Sequence, residues 1–151
     1  MLVCEAMTTD VEIVHPRQSI REAAHLMAQL DIGVLPVADG DRLVGMITDR
    51  DIAVRAVGEG RSPDTEVRDI MSKEVLYCFE DEEIDQVTHN MSDIKLRRLP
   101  VHDRRKRLVG IVSLGDIALI DGPNHAGAAL CGISQPGGDH SQSEQARERM
   151  Q

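Results

Sequence analysis

Apolar positions follow two rhythms along this chain, and the same order of rhythms occurs twice. Val11, Ile13 and Val14 form a short strand-like run closed by His15 and Pro16. Ile20, Ala23, Ala24, Met27 and Leu30 then recur at helical spacing, with Ser19 placed to cap the helix and Glu22 to complete a capping box. Val34–Ala38 and Leu43–Ile47 are short apolar strands around Asp39, Gly40 and Asp41, a hairpin signal. Thr48 begins a second helix, carried by Ile52, Ala53, Ala56 and Val57 and stopped by Gly58 and Gly60. The order then returns: Val75–Cys78, a helix from about Glu82 to Asp93, and strands near Leu99–Val101 and Leu108–Val112. A short last helix is ended by Asp121, Gly122 and Pro123.

The second copy answers the first residue by residue. Val3 to Thr8 returns 64 positions later as Val67 to Ser72, with Met7 matched by Met71. Ile20, His25, Met27, Leu35, Pro36, Val37 and Asp39 recur at that offset as Ile84, His89, Met91, Leu99, Pro100, Val101 and Asp103. One extra residue in the next turn moves the offset to 65, where Leu43 to Ala53 pairs with Leu108 to Ala118. A register broken once, in a turn, marks a duplication. The expected units are 1–62 and 63–121, with a polar linker at 59–66. From 122 to 151 Gly, Ser, Gln and charged residues dominate without periodicity, which predicts a flexible C-terminal tail, with a frayed helix at most near Ser143–Met150.

A unit of about 60 residues has too small a core to be comfortable alone. Two copies are expected to pack their apolar sheet faces around a pseudo-two-fold axis, leaving two related clefts between them. The fold class is therefore mixed α/β (α+β), two strand-helix-strand-strand-helix units with the tail appended. Tyr77 and Phe79 are the only aromatic residues besides histidine and there is no Trp, so aliphatic side chains and Met must build the core. Ring-stacking platforms for single-stranded nucleic acid are excluded with them. A net charge of −9 argues further against a nucleic-acid partner.

Cys4, Cys78 and Cys131 have no metal-like spacing and are odd in number, which fits free thiols in a reducing cytoplasm. The first residues lack a basic start followed by an apolar stretch, and no run is apolar enough to span a membrane. A cytoplasmic protein is expected.

Two junctions carry candidate chemistry. Thr48 and Ser113 end strands and open helices, where a hydroxyl and free backbone N–H groups can hold a phosphate. Asp51 and Asp116, one turn later, can accept both hydroxyls of a ribose. The same pairs also read as helix caps with an acid at the third position, and the two readings are compatible.

The chain resembles a tandem pair of cystathionine-β-synthase (CBS) domains, a Bateman module, like the small stand-alone CBS pairs of bacteria. The residues that carry the resemblance are Leu35, Pro36, Val37 with Leu99, Pro100, Val101, and the runs Leu43 to Asp51 and Leu108 to Asp116. It covers about residues 3–120. The resemblance implies no catalytic activity, no catalytic residues and no resident cofactor. It implies binding of an adenosine-containing ligand between the repeats, with AMP, ADP or ATP ahead of S-adenosylmethionine or NAD. It also implies homodimers shaped as flat disks and a separate effector protein. It assigns Thr48 and Ser113 to phosphate, Asp51 and Asp116 to ribose, and the basic pair Arg97 and Arg98 to phosphate. Gly33 and Val34 stand where the second copy has those arginines, and Arg50 stands where it has Gly115, so one competent cleft or none is expected. A ligand-free dimeric interaction or stress-associated scaffold is the alternative.

Two other patterns read as structural. Lys95, Arg97, Arg98, Arg104, Arg105, Lys106 and Arg107 form a basic strip that Glu80 to Glu83 and Asp85 can balance, rather than a nucleic-acid patch. The six histidines contain no His-x-x-x-His arrangement, so no metal site is expected.

Overall fold

The computed structural model describes residues 1–135. A one-turn helix, α1 (Val3–Ala6), precedes α2 (Ile20–Leu30), the hairpin strands β1 (Val34–Asp39) and β2 (Arg42–Thr48), and α3 (Asp49–Asp51). The last continues as a π-helical segment, Ile52–Ala56, and a 3-10 turn, Val57–Glu59. A second 3-10 turn at Val67–Asp69 leads to β3 (Cys78–Phe79), α4 (Ile84–Ile94), β4 (Arg98–His102), β5 (Leu108–Ser113), α5 (Leu114–Asp121) and α6 (Pro123–Ser134).

The duplication is visible in the backbone. β1 and β2 pair antiparallel with a bulge between Val37 and Ala38, and β4 and β5 do the same with a bulge between Val101 and His102. α2 and α4 both end on a left-handed residue, Asp31 (φ 54°) and Lys95 (φ 57°), neither of them glycine. The first strands are shorter than their apolar runs suggest. Val11–Val14 contributes one parallel bridge, Val14 to Val37, and the Val75–Cys78 strand becomes Cys78–Phe79, parallel to β4. Ser19 caps α2 by accepting the Glu22 N–H (3.1 Å), but the Glu22 carboxylate accepts from the Gln18 side chain instead of closing the box.

The core is aliphatic and falls into two clusters. Leu35, Val37, Ile47, Ala23 and Ile20 centre the first; Leu99, Val101, Val112, Ile84, Val87 and Met91 centre the second. Their membership crosses the sequence repeats. Val3 and Ala6, from the start of copy one, lie in the second cluster, while Val67 and Ile70, from the start of copy two, lie in the first. The packing units therefore differ from the stretches 1–62 and 63–121, because each copy lends its first segment to the other.

Glycine makes that exchange possible. The Ser72 N–H donates to the Met46 carbonyl (2.9 Å) and the Met46 N–H donates back (3.0 Å), with Thr8 and Ile111 paired likewise (2.9 and 3.0 Å). A Cβ on Gly45 would stand 2.7 Å from the Met71 sulfur and 2.7 Å from the Ser72 carbonyl. On Gly110 it would stand 2.6 Å from the Met7 sulfur and 3.0 Å from the Thr8 carbonyl. A methionine of one copy thus lies on a glycine of the other, twice.

Residues 123–134 depart from the expected tail. Pro123 opens α6, which packs on α4 and α5 with Ala126 and Ala129 buried. Close contact is carried by small residues, and a Cβ on Gly132 would overlap Ser92. The helix is hidden in the sequence because its buried positions are Ala126 and Ala129, not the large aliphatics that make a period visible. The expected helix near Ser143–Met150 lies outside the described residues. Among those described, no helix is long and apolar enough to cross a membrane.

Replacing Gly45 or Gly110 by Ala should destabilise the chain by about 1–3 kcal/mol, since the added methyl meets a backbone carbonyl as well as a flexible sulfur. Urea unfolding of each variant measures this, and a neutral result at both positions would mean that the crossing segments do not sit as closely as described.

Candidate functional site at the strand-to-helix junctions

β2 and β5 each run straight from the glycine contact into a helix start. At the first junction the Thr48 hydroxyl accepts the Asp51 N–H (3.0 Å) and the Asp51 carboxylate accepts the Thr48 N–H (2.9 Å). At the second, Ser113 accepts the Asp116 N–H (3.0 Å) and Asp116 accepts the Ser113 N–H (3.2 Å). Both are reciprocal capping boxes, so the cap role anticipated for these four residues is present. Each box engages one carboxylate oxygen in this way and leaves the other free for further contacts. All four side chains are half-buried.

The surroundings of the two boxes differ. Arg98 stands directly opposite Ser113 in the β4–β5 register, and the Leu114 N–H donates to the Arg97 carbonyl (3.0 Å). Strand pairing therefore brings Arg97, Arg98, Ser113 and Asp116 together at the start of α5, both arginines exposed. At the equivalent place of the first copy, Val34 faces Thr48 and the Asp49 N–H donates to the Gly33 carbonyl (2.9 Å). There a carboxylate replaces the cations: an Asp49 oxygen would lie 2.9 Å from a Cβ on Gly33.

The acids differ as well. Arg55 reaches the second oxygen of Asp51 at 3.8 Å and also donates to the Ile70 carbonyl (3.3 Å). Ile120 occupies the matching position of the second copy, and among the described residues Asp116 has no ion-pair partner. The helices diverge in the same direction. Asp49–Asp51 is only one α turn before the π segment, whereas α5 runs for eight residues.

Two arginines of the basic strip, Arg104 and Arg107, are paired within the chain. Arg104 grips Asp81 with two hydrogen bonds (2.9 and 2.7 Å) and lies 4.2 Å above the Phe79 ring. The Asp81 carboxyl is held below its usual range by that hydrogen bonding. Asp103 is lowered too, first by the Arg107 backbone N–H and then by the Arg107 side chain. Sequence reasoning missed the stacking, because Phe79 is distant from the strip along the chain and adjacent to it across the sheet.

The three cysteines differ in exposure and lie apart from both capping boxes. Cys4 and Cys131 are exposed, and burial pushes the Cys78 thiol up to about 12. Among the described residues no three His, Cys, Asp or Glu side chains are grouped to hold a metal. His102 has no local signal in the sequence that sets it apart; it is buried at the bulge of β4 with both ring nitrogens unpaired. A shallow recess of about 250 Å³, lined by Met1, Glu83, Ile84, Asp85, Asp121 and His125, shares no residue with either capping box.

The two halves of this geometry match one family twice, at residues 3–58 and 67–120, by the model for the CBS domain. The chain belongs to the CBS domain family. It is 43% identical over 133 residues to the CBS domain-containing protein YhcV of Bacillus subtilis, covering 87% of this chain and 94% of that protein. The crystal structure of Hypoxic Response Protein I with two coordinated zinc ions superposes with a TM-score of 0.73 at 34% identity, over 80% of this chain and 98% of that one. The CBS domain pair of MJ0100, in complex with 5′-methylthioadenosine and S-adenosyl-L-methionine, superposes with a TM-score of 0.70 at 35% identity, over 81% and 100%. This CBS pair thus shares its fold with one solved on adenosine compounds and one solved on zinc.

Thr48→Ala and Ser113→Ala should each lower ligand-free stability by about 0.5–2 kcal/mol through loss of the cap. Urea titrations without ligand check this, and wild-type stability in both variants would remove the capping role.

Proposed function

We propose that this CBS pair is a non-catalytic regulatory module that binds one adenosine phosphate per chain, at the junction of β5 and α5. The observation that carries the reading is the strand register that sets Arg98 opposite Ser113, with one Asp116 carboxylate oxygen left over from the capping box one turn along. A phosphate there meets the N-terminus of an eight-residue helix and the planar donor fork of an arginine. Asp116 is left to accept the two hydroxyls of a ribose. AMP, ADP or ATP fits this set better than S-adenosylmethionine or NAD, because the cations serve a terminal phosphate.

The chain carries a net charge of −9, which repels anions at long range. Local arginines must overcome that field, so binding should weaken as salt rises. The first junction is the poorer anion site: Asp49 fills the place of the cations, and Arg55 already satisfies Asp51. Ligand held between the repeats acts as a signal by favouring one disposition of the two units, to the extent that it binds that disposition better.

Output passes to a separate effector, in our reading from a homodimer. Leu119 (88% exposed) and Val57 (68%), with Val54 and Ile120, leave apolar surface on the matching helices of both copies. The same surface favours the second reading, a ligand-free dimeric scaffold. Three free thiols suit a cytoplasmic setting.

Isothermal titration with AMP, ADP and ATP should give one site per chain. Arg98→Ala or Asp116→Ala should weaken it roughly 10- to 100-fold, the loss of a hydrogen bond to a charged group. Asp51→Ala should leave affinity and stoichiometry unchanged. Two equal sites, or equal effects of Asp51→Ala and Asp116→Ala, would contradict the asymmetry, and no heat with any of the three would favour the scaffold.

A further inference from the structure

The aromatic residues of this chain are gathered at one place. Tyr77, just before β3, packs on the His102 imidazole with ring centroids 4.3 Å apart and the planes tilted by 40°, and meets Phe79 edge-on at 5.5 Å. Phe79 pairs with His102 across the sheet and supports Arg104 on its face. The first copy has Ile13, His15 and Ala38 at the equivalent positions, so the cluster belongs to the second unit alone.

His102 is 5% exposed, and neither ring nitrogen has a partner. His102 follows a bulge in β4, and its backbone is used: the Glu80 N–H donates to the His102 carbonyl (2.9 Å). Asp103, the nearest carboxylate, is committed elsewhere, to the Arg105 and Arg107 N–H groups and the Arg107 guanidinium. Arg104 is likewise committed to Asp81. A neutral imidazole tolerates such a site at some cost; an imidazolium has two donors and nowhere to place them.

The covering ring is itself on a connector. Residues 73–77 have no regular structure and run from Ser72, bonded to β2 of the first unit, to β3 of the second. Tyr77 is 38% exposed, so its ring is the thin side of the enclosure.

We propose that His102 and Tyr77 form a pH-sensitive latch on this connector: protonation of His102 expels the Tyr77 ring and frees residues 73–77 that link the two units. Burial already lowers the imidazole's proton affinity; Asp103 works against that and Lys106 with it. From β3 and its turn, Glu80 and the Arg104-paired Asp81 are the further charges, and Tyr77 the further titratable ring. The latched state holds the neutral form and an opened state would bind the proton at the ordinary value near pH 6.5. The ratio of opened to latched molecules therefore rises by up to about ten-fold per pH unit below that value, and levels off once the latched form also takes the proton.

Tyr77 is the only tyrosine and there is no tryptophan, so intrinsic emission reports on this ring alone. Acrylamide quenching of the full chain from about pH 8 to about pH 5, alongside an NMR titration of the His102 ring, tests the latch. The expected result is a roughly two-fold rise in quenching, as a ring 38% exposed opens, following His102 protonation below about pH 6.5. His102→Leu, which leaves no buried polar group behind, should abolish the rise. Quenching that stays flat while His102 protonates, or an equal rise in His102→Leu, would overturn the proposal. Should the variant fail to fold, the coincidence of the two wild-type titrations decides.

Discussion

Met71 lying on Gly45, and Met7 lying on Gly110, hold this molecule together as one body. Neither repeat keeps its own first segment. Val67 and Ile70 complete the core around Leu35 and Ile47, and Val3 and Ala6 complete the core around Leu99 and Val112. Burying a valine such as Val3 or Val67 contributes roughly 1.5–3 kcal/mol, so losing either segment would strip a small unit of a large share of its net stability. The glycines are needed because a strand backbone and a crossing backbone approach within contact distance, leaving no room for a side chain. The exchange also fixes the path of both strands into their helices, and hence the two capping boxes.

A symmetric backbone here carries different side chains around its two capping boxes. Bulges, left-handed helix ends and capping boxes repeat almost position for position. What differs is a handful of side chains around the boxes: Arg97 and Arg98 against Gly33 and Val34, Ile120 against Arg55, and His102 against Ala38. The caps stabilise both helix starts without a ligand, and both copies carry them. The exposed arginines beside the second cap have no counterpart beside the first.

The sequence made the repeats, the hairpins, the main helices and the family legible, because large aliphatic residues recur at helix and strand periods and the copies can be compared. It made the capping boxes legible too, since Thr48 with Asp51 and Ser113 with Asp116 are local pairs. Contacts between distant residues were not legible. The exchange of Val3–Ala6 and Val67–Ile70 cannot be told from two self-contained repeats, as the apolar pattern is the same in both arrangements. α6 was missed because Ala126, Ala129 and Gly132 pack through smallness, which composition reads as loop. The Phe79–Arg104 and Tyr77–His102 contacts join residues 25 apart in sequence, and the parallel pairing of β3 with β4 brings them together.

Native-state hydrogen exchange tests the exchanged segments most directly. The Ser72 N–H, bonded to Met46, and the Thr8 N–H, bonded to Ile111, are the amides that join each segment to the other copy's sheet. Both should exchange only through global unfolding, with the same opening free energy and denaturant dependence as core amides of Ile47 and Val112. Exchange of either amide through a local opening, at markedly lower free energy than those core positions, would contradict this, since the segments would then decorate two independent repeats rather than join them.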